Sequence, residues 1–222
     1  MTLAVLSWLV ASLICAAAYG LFWLTGPPSL ARALIKTGAV GFLAVGLSAA
    51  GAHPVLVLAL GLSAAGDFAL AFIARAATAL GIGLFLLAQL AYLVGLFFLW
   101  VFAGDLGPLW PRYGAIGAIW LFAIAWYVWL WPGLKAMAAP VALYLIAIAA
   151  MASMAMMLDW RGWPAMVGAL AFLVSDAVLA AEMFRLAEGD RRRRVTPHIV
   201  WWTYYAAQLL IPLGIILVVQ AA

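Results

Sequence analysis

The sequence predicts an all-α integral membrane protein, a bundle of eight transmembrane helices, and three observations predict it. The 222 residues are 70% hydrophobic and only 8% charged, with a mean hydropathy of +1.21. A soluble domain carries roughly a quarter charged residues because its surface must face water; here much of the surface must face lipid. The apolar residues also come in runs of about 20, the length that crosses a bilayer. Finally, Pro, Gly, charged residues and many of the twelve Trp gather at the breaks between runs, as expected of indole rings that settle at the headgroup level.

The first run, about 3–25, ends at Gly26-Pro27-Pro28. Its first part resembles a signal peptide, but no basic segment precedes it and it continues through Trp23, so a retained span is predicted. The second helix is about 33–51, and His53-Pro54 opens the third, about 54–74, with His53 as a helix-end residue. Arg75 separates it from the fourth, about 79–103, and Gly104-Asp105-Leu106-Gly107-Pro108 leads to the fifth, about 113–131. Trp131-Pro132-Gly133-Leu134-Lys135 closes the fifth; the sixth follows at about 137–157. Asp159-Trp160-Arg161-Gly162 precedes the seventh, about 163–184, and a basic loop, about 185–197, precedes the eighth, about 198–220. Short connections make consecutive helices antiparallel neighbours within one transmembrane domain, 1–222.

Loop charge sets the orientation. Arg32, Lys36, Arg75, Lys135, Arg185 and Arg191 to Arg194 fall in odd-numbered connections, whereas only Arg112 and Arg161 fall in even ones. Loops rich in Lys and Arg stay cytoplasmic, so both termini are predicted outside. The Arg run is read as this topological signal. No aromatic–basic interleaving accompanies it, so nucleic acid is not an expected partner. Without targeting features, a bacterial inner membrane is the expected location.

Several familiar chemistries are disfavoured. The single Cys15 forms no intramolecular disulfide. His53 and His198 are assigned to opposite sides of the membrane and share no metal site; Met151, Met154, Met156 and Met157 read as apolar filler. No metal or cofactor is therefore expected. Gly38, Gly41 and Gly46 lack phosphate-loop spacing and read as close helix packing, on faces that would also permit a homodimer.

The polar residues inside the spans are the candidates for function. Asp67 lies thirteen residues into the third helix (67 − 54) and Asp176 thirteen into the seventh (176 − 163). Each is thus roughly 20 Å from the outer edge, in the cytoplasmic half. Gln89 and Gln208 lie about ten residues from the cytoplasmic starts of helices four and eight, Tyr204 and Tyr205 about one turn nearer that side, and Lys36 at the start of helix two can reach inward along its stem. The halves also echo one another. Ala65-Gly66-Asp67-Phe68-Ala69-Leu70-Ala71 reads like Val174-Ser175-Asp176-Ala177-Val178-Leu179-Ala180, and Ala88-Gln89-Leu90 like Ala207-Gln208-Leu209. Two parallel four-helix repeats would account for this.

An ionised Asp at mid-bilayer costs about 2.5–3.5 kcal/mol on insertion scales, so such residues persist where they pair, line a wet cavity or work. A buried hydrogen bond between helices is the plain structural alternative. Two nearby acids would divide their roles, one keeping its proton near neutral pH while the other ionises. That equips a site for acid–base hydrolysis or for proton-coupled transport.

Together these motifs resemble the YhhN family of lysoplasmalogenases. The resemblance rests on Gly66-Asp67 and Ser175-Asp176, and on Tyr204-Tyr205-Ala206-Ala207-Gln208-Leu209-Leu210-Ile211. Trp131-Pro132-Gly133-Leu134 followed by Pro140-Val141-Ala142-Leu143-Tyr144 and Met151, and Phe85-Leu86-Leu87-Ala88-Gln89-Leu90-Ala91-Tyr92, add to it. It covers roughly helix two to helix eight. It implies a membrane enzyme that hydrolyses the vinyl ether bond of lysoplasmalogens to a fatty aldehyde and glycerophosphocholine or glycerophosphoethanolamine. Asp67 and Asp176 would be the catalytic acids. Lys36, Gln89, Tyr92, Tyr144, Ser175, Tyr204, Tyr205 and Gln208 would bind substrate, with Lys36 or a loop Arg at the phosphate. Relatives often carry His at the position of Gln89, so this chain would use a neutral amide there. Lysophospholipid and membrane lipid are the expected partners. The alternative from another class is a proton-coupled lipid or solute transporter, which paired acids and a parallel repeat suit as well.

Overall fold

The computed structural model describes residues 2–72, 75–102 and 110–220. The expected connection Gly104-Asp105-Leu106-Gly107-Pro108 lies outside the described residues, as do residues 73 and 74 and the side chain of Arg75. Among the described residues every regular element is helical. The α-helices are α1 (Leu3–Ala18), α2 (Leu30–Ala49), α3 (Pro54–Leu70), α4 (Arg75–Phe102), α5 (Trp110–Leu134), α6 (Ala138–Met156), α7 (Trp163–Phe184) and α8 (Thr196–Val219). A π-helical turn, Tyr19–Trp23, extends α1, and a one-turn 3-10 stretch, Lys135–Met137, joins α5 directly to α6. Among the described residues, six helical stretches are long and apolar enough to cross a membrane; one of them, Trp110–Met156, is 47 residues long and contains both α5 and α6. The 17-residue α3 is apolar but shorter than these.

Several helix ends differ from the expected ones for local reasons. α2 begins at Leu30 and not near 33, because the Ser29 hydroxyl accepts from the Arg32 N–H at 3.2 Å and caps the first turn. α3 stops at Leu70, four residues short of the expected 74, where the Ala71 N–H turns to the carbonyls of Phe68 and Ala69. α8 begins at Thr196 with Pro197 in its first turn, where a missing N–H costs nothing. A further correction is at α5, which was expected to end at about 131, closed by Trp131-Pro132-Gly133-Leu134-Lys135. It runs through Pro132 to Leu134 instead. A Cβ on Gly133 would collide with the Phe184 carbonyl of α7, so this glycine permits close approach and does not make the turn. The turn falls at Lys135, whose φ of +47° is the left-handed conformation more often given to glycine.

The chain divides into two compact units, Met1–Tyr92 and Leu93–Ala222, with the division inside α4. In the first, small residues bring antiparallel neighbours together. The Ser12 hydroxyl donates to the Ala39 carbonyl. Gly38 lies against Cys15 and Gly46 against Trp8, joining α2 to α1; Gly41 faces Ala64 on α3; Gly66 lies under the Phe85 ring and Gly81 under Leu70, joining α3 to α4. Glycines 38, 41 and 46 thus serve packing inside this unit. In the second unit α7 and α8 are antiparallel. Gly162 meets Val218, Gly168 meets Leu210 and Ile211, and Gly214 meets Ala165. At 2.3 to 2.9 Å from those neighbours, almost any added Cβ would push the helices apart.

Arginines close the helix ends. Arg112 Nη1 donates to the carbonyls of Met156 and Leu158 where α6 ends. Arg193 donates to the carbonyls of Glu182, Leu186 and Ala187 past the end of α7, and its Nη1 lies 3.6 Å from the Glu182 carboxylate. Both satisfy carbonyls that a helix C-terminus leaves open. Asp190 caps the Arg191–Arg194 turn, and its hydrogen bonds with Arg192 hold its carboxyl at about 2, below the usual carboxylate range. Trp110, Trp131, Trp160 and Trp163 are exposed at helix ends, whereas Trp201 is buried. Leu13, Ile14, Leu21, Leu58, Leu121 and Val128 are exposed too, which only a lipid-facing surface makes favourable.

Candidate functional site

The expected site residues fall into two sets, one in each unit. Lys36, Asp67, Gln89 and Tyr92 belong to the first; Tyr144, Ser175, Asp176, Tyr204, Tyr205 and Gln208 belong to the second.

In the first unit, α2 and α3 run antiparallel with Gly41 facing Ala64. That register brings Lys36, one to two turns earlier on α2, to Asp67, about one turn later on α3. The Lys36 Nζ lies 3.0 Å from Asp67 Oδ1, with the Lys36 side chain 16% exposed and Asp67 only 1%. Lys36, expected at the substrate phosphate, is thus held by a carboxylate. Its ammonium also stands 6.0 Å from the centroid of the Tyr19 ring, and the Arg32 guanidinium stands 5.8 Å from that same centroid. Arg32 Nη2 donates to the Tyr19 hydroxyl and to the Leu24 carbonyl, both at 3.3 Å. Tyr19 opens the π-helical turn and is buried. Such turns recur at functional sites.

Gln89 is fully buried on α4, one turn beyond the Phe85 that packs on Gly66. Neither polar atom of its amide has a hydrogen-bond partner among the described residues. Tyr92, nearly one turn further along, is also buried.

In the second unit, the Tyr144 hydroxyl on α6 donates to Asp176 Oδ2 on α7 at 2.5 Å. Both residues are half-buried. Ser175 turns away to α8, where its hydroxyl donates to the Val200 carbonyl at 3.0 Å. Tyr204 and Tyr205 are buried: Tyr204 meets Phe172 edge-on at 5.5 Å, and Tyr205 stacks on Trp201 at 6.0 Å. Gln208 is fully buried one turn later. The structure therefore brings together Lys36 with Asp67 and Tyr144 with Asp176, and gives Ser175 a helix-joining hydrogen bond.

Two residues beside the first carboxylate were not among the expected ones. Arg32 carried a readable signal, since it lies four residues before Lys36 and shares its helix face. Tyr19 did not, because only the packing of α1 on α2 sets its ring between two cations. Glu182 and Thr196, which hydrogen-bond to one another beside Arg193, were missed for the same reason.

Lipid-length helices enclosing two carboxylates, each given a specific partner, define an integral membrane protein with acid groups held inside its helices. More particularly, the chain belongs to the YhhN family, whose model matches residues 30–215. It is 33% identical over 140 residues to a lysoplasmalogenase of Mycobacterium bovis and, equally, to one of Mycobacterium tuberculosis. Each match covers 62% of this chain and 51% of the relative. The chain thus spans about half the length of the curated relatives it matches. No solved structure matches it.

Proposed function

We propose that the protein is a membrane-embedded hydrolase that cleaves the vinyl ether bond of lysoplasmalogen. The products are a fatty aldehyde and glycerophosphocholine or glycerophosphoethanolamine. The observation that carries this reading is the unlike partnering of two carboxylates that both lie inside the family-matched region. The relatives' name supports the substrate class.

The chemistry needs one carboxyl with a proton and one without. A vinyl ether is hydrolysed by protonation at the carbon remote from oxygen, which leaves an oxocarbenium-like cation. Water adds to that cation and loses a proton, giving a hemiacetal. Collapse of the hemiacetal breaks the bond to the glycerol oxygen and releases aldehyde and alcohol. Asp67, ion-paired with Lys36, suits the anion that stabilises the cation and activates water. Asp176, partnered by a hydroxyl, suits the acid, because a neutral carboxyl still accepts through one oxygen while the other carries the proton. Gln89, Tyr92, Tyr204, Tyr205 and Gln208 are assigned to substrate binding.

The same reading takes the fold as eight spans. The 47-residue stretch counts as two because the left-handed Lys135 separates α5 from α6, which pack on each other with the Tyr127 hydroxyl donating to the Ala138 carbonyl. α3, at about 1.5 Å per residue, is some 25 Å long and takes the thinnest part of the bilayer. With Lys36 paired inside its helix, the remaining loop charges still favour odd connections in the cytoplasm and both termini outside, in a bacterial inner membrane.

The test is direct. Purified protein in detergent, given an alkenyl lysophospholipid, should release aldehyde and glycerophospho-ester in equal amounts and leave the saturated alkyl analogue intact. Absence of aldehyde together with flux driven by a pH gradient in liposomes would favour a transporter.

A further inference from the structure

We propose that Arg32, with the Tyr19 ring and the Lys36–Asp67 pair behind it, is a site for a phosphate-ester anion. Resting on the hydrolase reading, it identifies the group that receives the substrate's phosphate. Three observations carry it.

The first is local charge. Arg32 and Lys36 stand one helical turn apart over the same ring, and Asp67 is the carboxylate that pairs with Lys36. Guanidinium is always protonated. Arg32 has no carboxylate within ion-pair distance among the described residues, so the cluster carries one positive charge more than it neutralises. A phosphodiester carries one negative charge.

The second is an orphaned donor. Arg32 Nη2 is engaged by Tyr19 and Leu24, but the Nε–H is buried without a hydrogen-bond partner among the described residues. A buried donor left unpaired costs about 1–3 kcal/mol, more when charged, and in a native structure it calls for an explanation such as a ligand. With Nη2 held by Tyr19 and Leu24, the Nε–H is left to donate one charge-assisted hydrogen bond to a phosphate oxygen.

The third is location. Arg32 sits in the first turn of α2, half-buried, and holds the Leu24 carbonyl at the end of the π-helical turn, whose Leu21 and Phe22 are exposed apolar residues. A lysophospholipid presents this combination, one phosphate joined to one apolar chain. Lys36 therefore serves Asp67, and the phosphate falls to its neighbour.

The experiment uses the full chain in detergent with three probes. These are an alkyl ether lysophospholipid, which carries the phosphate and resists hydrolysis, the matching monoalkylglycerol, which lacks it, and inorganic phosphate. Arg32→Met keeps the stem and removes the charge; Arg32→Lys restores charge without the fork. The Met variant should bind the lysophospholipid at least tenfold more weakly, as expected for loss of a charge-assisted pair. It should bind the monoalkylglycerol as the unaltered protein does. The Lys variant should fall between. With the alkenyl substrate, the loss should appear in KM and not in kcat. Equal binding of the lysophospholipid by the Met variant would overturn the proposal, as would parallel loss of both lipids, which marks a structural role. Inorganic phosphate binding as tightly as the lysophospholipid would overturn the lipid source. The binding arm needs no turnover, so it remains decisive even if the hydrolase reading fails.

Discussion

Asp67 and Asp176 stand at the same count from the first residues of their helices, yet they occupy different surroundings. α3 ends three residues after Asp67 (70 − 67), whereas α7 continues for eight after Asp176 (184 − 176). Asp67 is almost fully buried against an ammonium; Asp176 is half-buried against a tyrosine hydroxyl. The preceding residues diverge as well. Gly66 is small because the Phe85 ring lies where its Cβ would be, whereas Ser175 uses its hydroxyl to join α7 to α8. Two similar sequence motifs thus keep a carboxylate each and differ in what surrounds it: an ammonium at Asp67, a tyrosine hydroxyl at Asp176. The proposed mechanism rests on that difference.

The strongest way to break this comparison is to remove each acid in turn. Asp67→Asn and Asp176→Asn should each lower aldehyde release by about 10²–10⁴-fold, the usual contribution of a positioned acid or base. Full activity in either variant would end the two-carboxylate mechanism. Next in size is Lys36→Met, which takes the paired ammonium away from the buried Asp67. It should cost about 3–5 kcal/mol in thermal unfolding in detergent. Adding Asp67→Asn to it should recover most of that stability but no activity. No such rescue is expected between Lys36→Met and Asp176→Asn, because their partners lie in different units.

Exchanging the neighbouring residues sharpens the contrast. Gly66→Ser forces atoms into the Phe85 ring and should destabilise by about 1–3 kcal/mol. Ser175→Gly loses one hydrogen bond and gains helix-breaking freedom, together about 1–2 kcal/mol. If the Gly66→Ser substitution were silent, the two motif positions would be interchangeable. The smallest effect on stability is expected from Tyr144→Phe, about 1 kcal/mol for one hydrogen bond. Its effect on turnover should exceed its effect on stability, and an unchanged kcat would remove Tyr144 from the role of holding Asp176.

Much of the fold was legible because lipid imposes a simple rule. Backbone groups must be satisfied within the helix, and each crossing needs about 20 apolar residues. The start of α7 at Trp163 and the His53 cap of α3, whose Nδ1 accepts from the Val55 N–H, follow from such local chemistry. The α5–α6 junction was not legible. Pro132-Gly133 reads as a helix stop, but Gly133 answers to a carbonyl on α7 fifty-one positions away (184 − 133). The candidate acids were legible too, since a charge among apolar residues is conspicuous.

Sequence by itself determined that the chain is helical, that it lives in lipid, that it belongs beside lysoplasmalogenase relatives, and that Asp67 and Asp176 are the acids to watch. Each of these depends on local composition or on motif order along the chain. Only the tertiary structure decided which group each acid meets. Lys36 reaches Asp67 because α2 and α3 pack antiparallel in one register, and Tyr144 reaches Asp176 through the packing of α6 on α7. Partner choice depends on how helices slide and rotate against one another, and a shift of one residue turns a side chain by about 100°. The partners of the two acids were therefore set by packing that no single helix encodes.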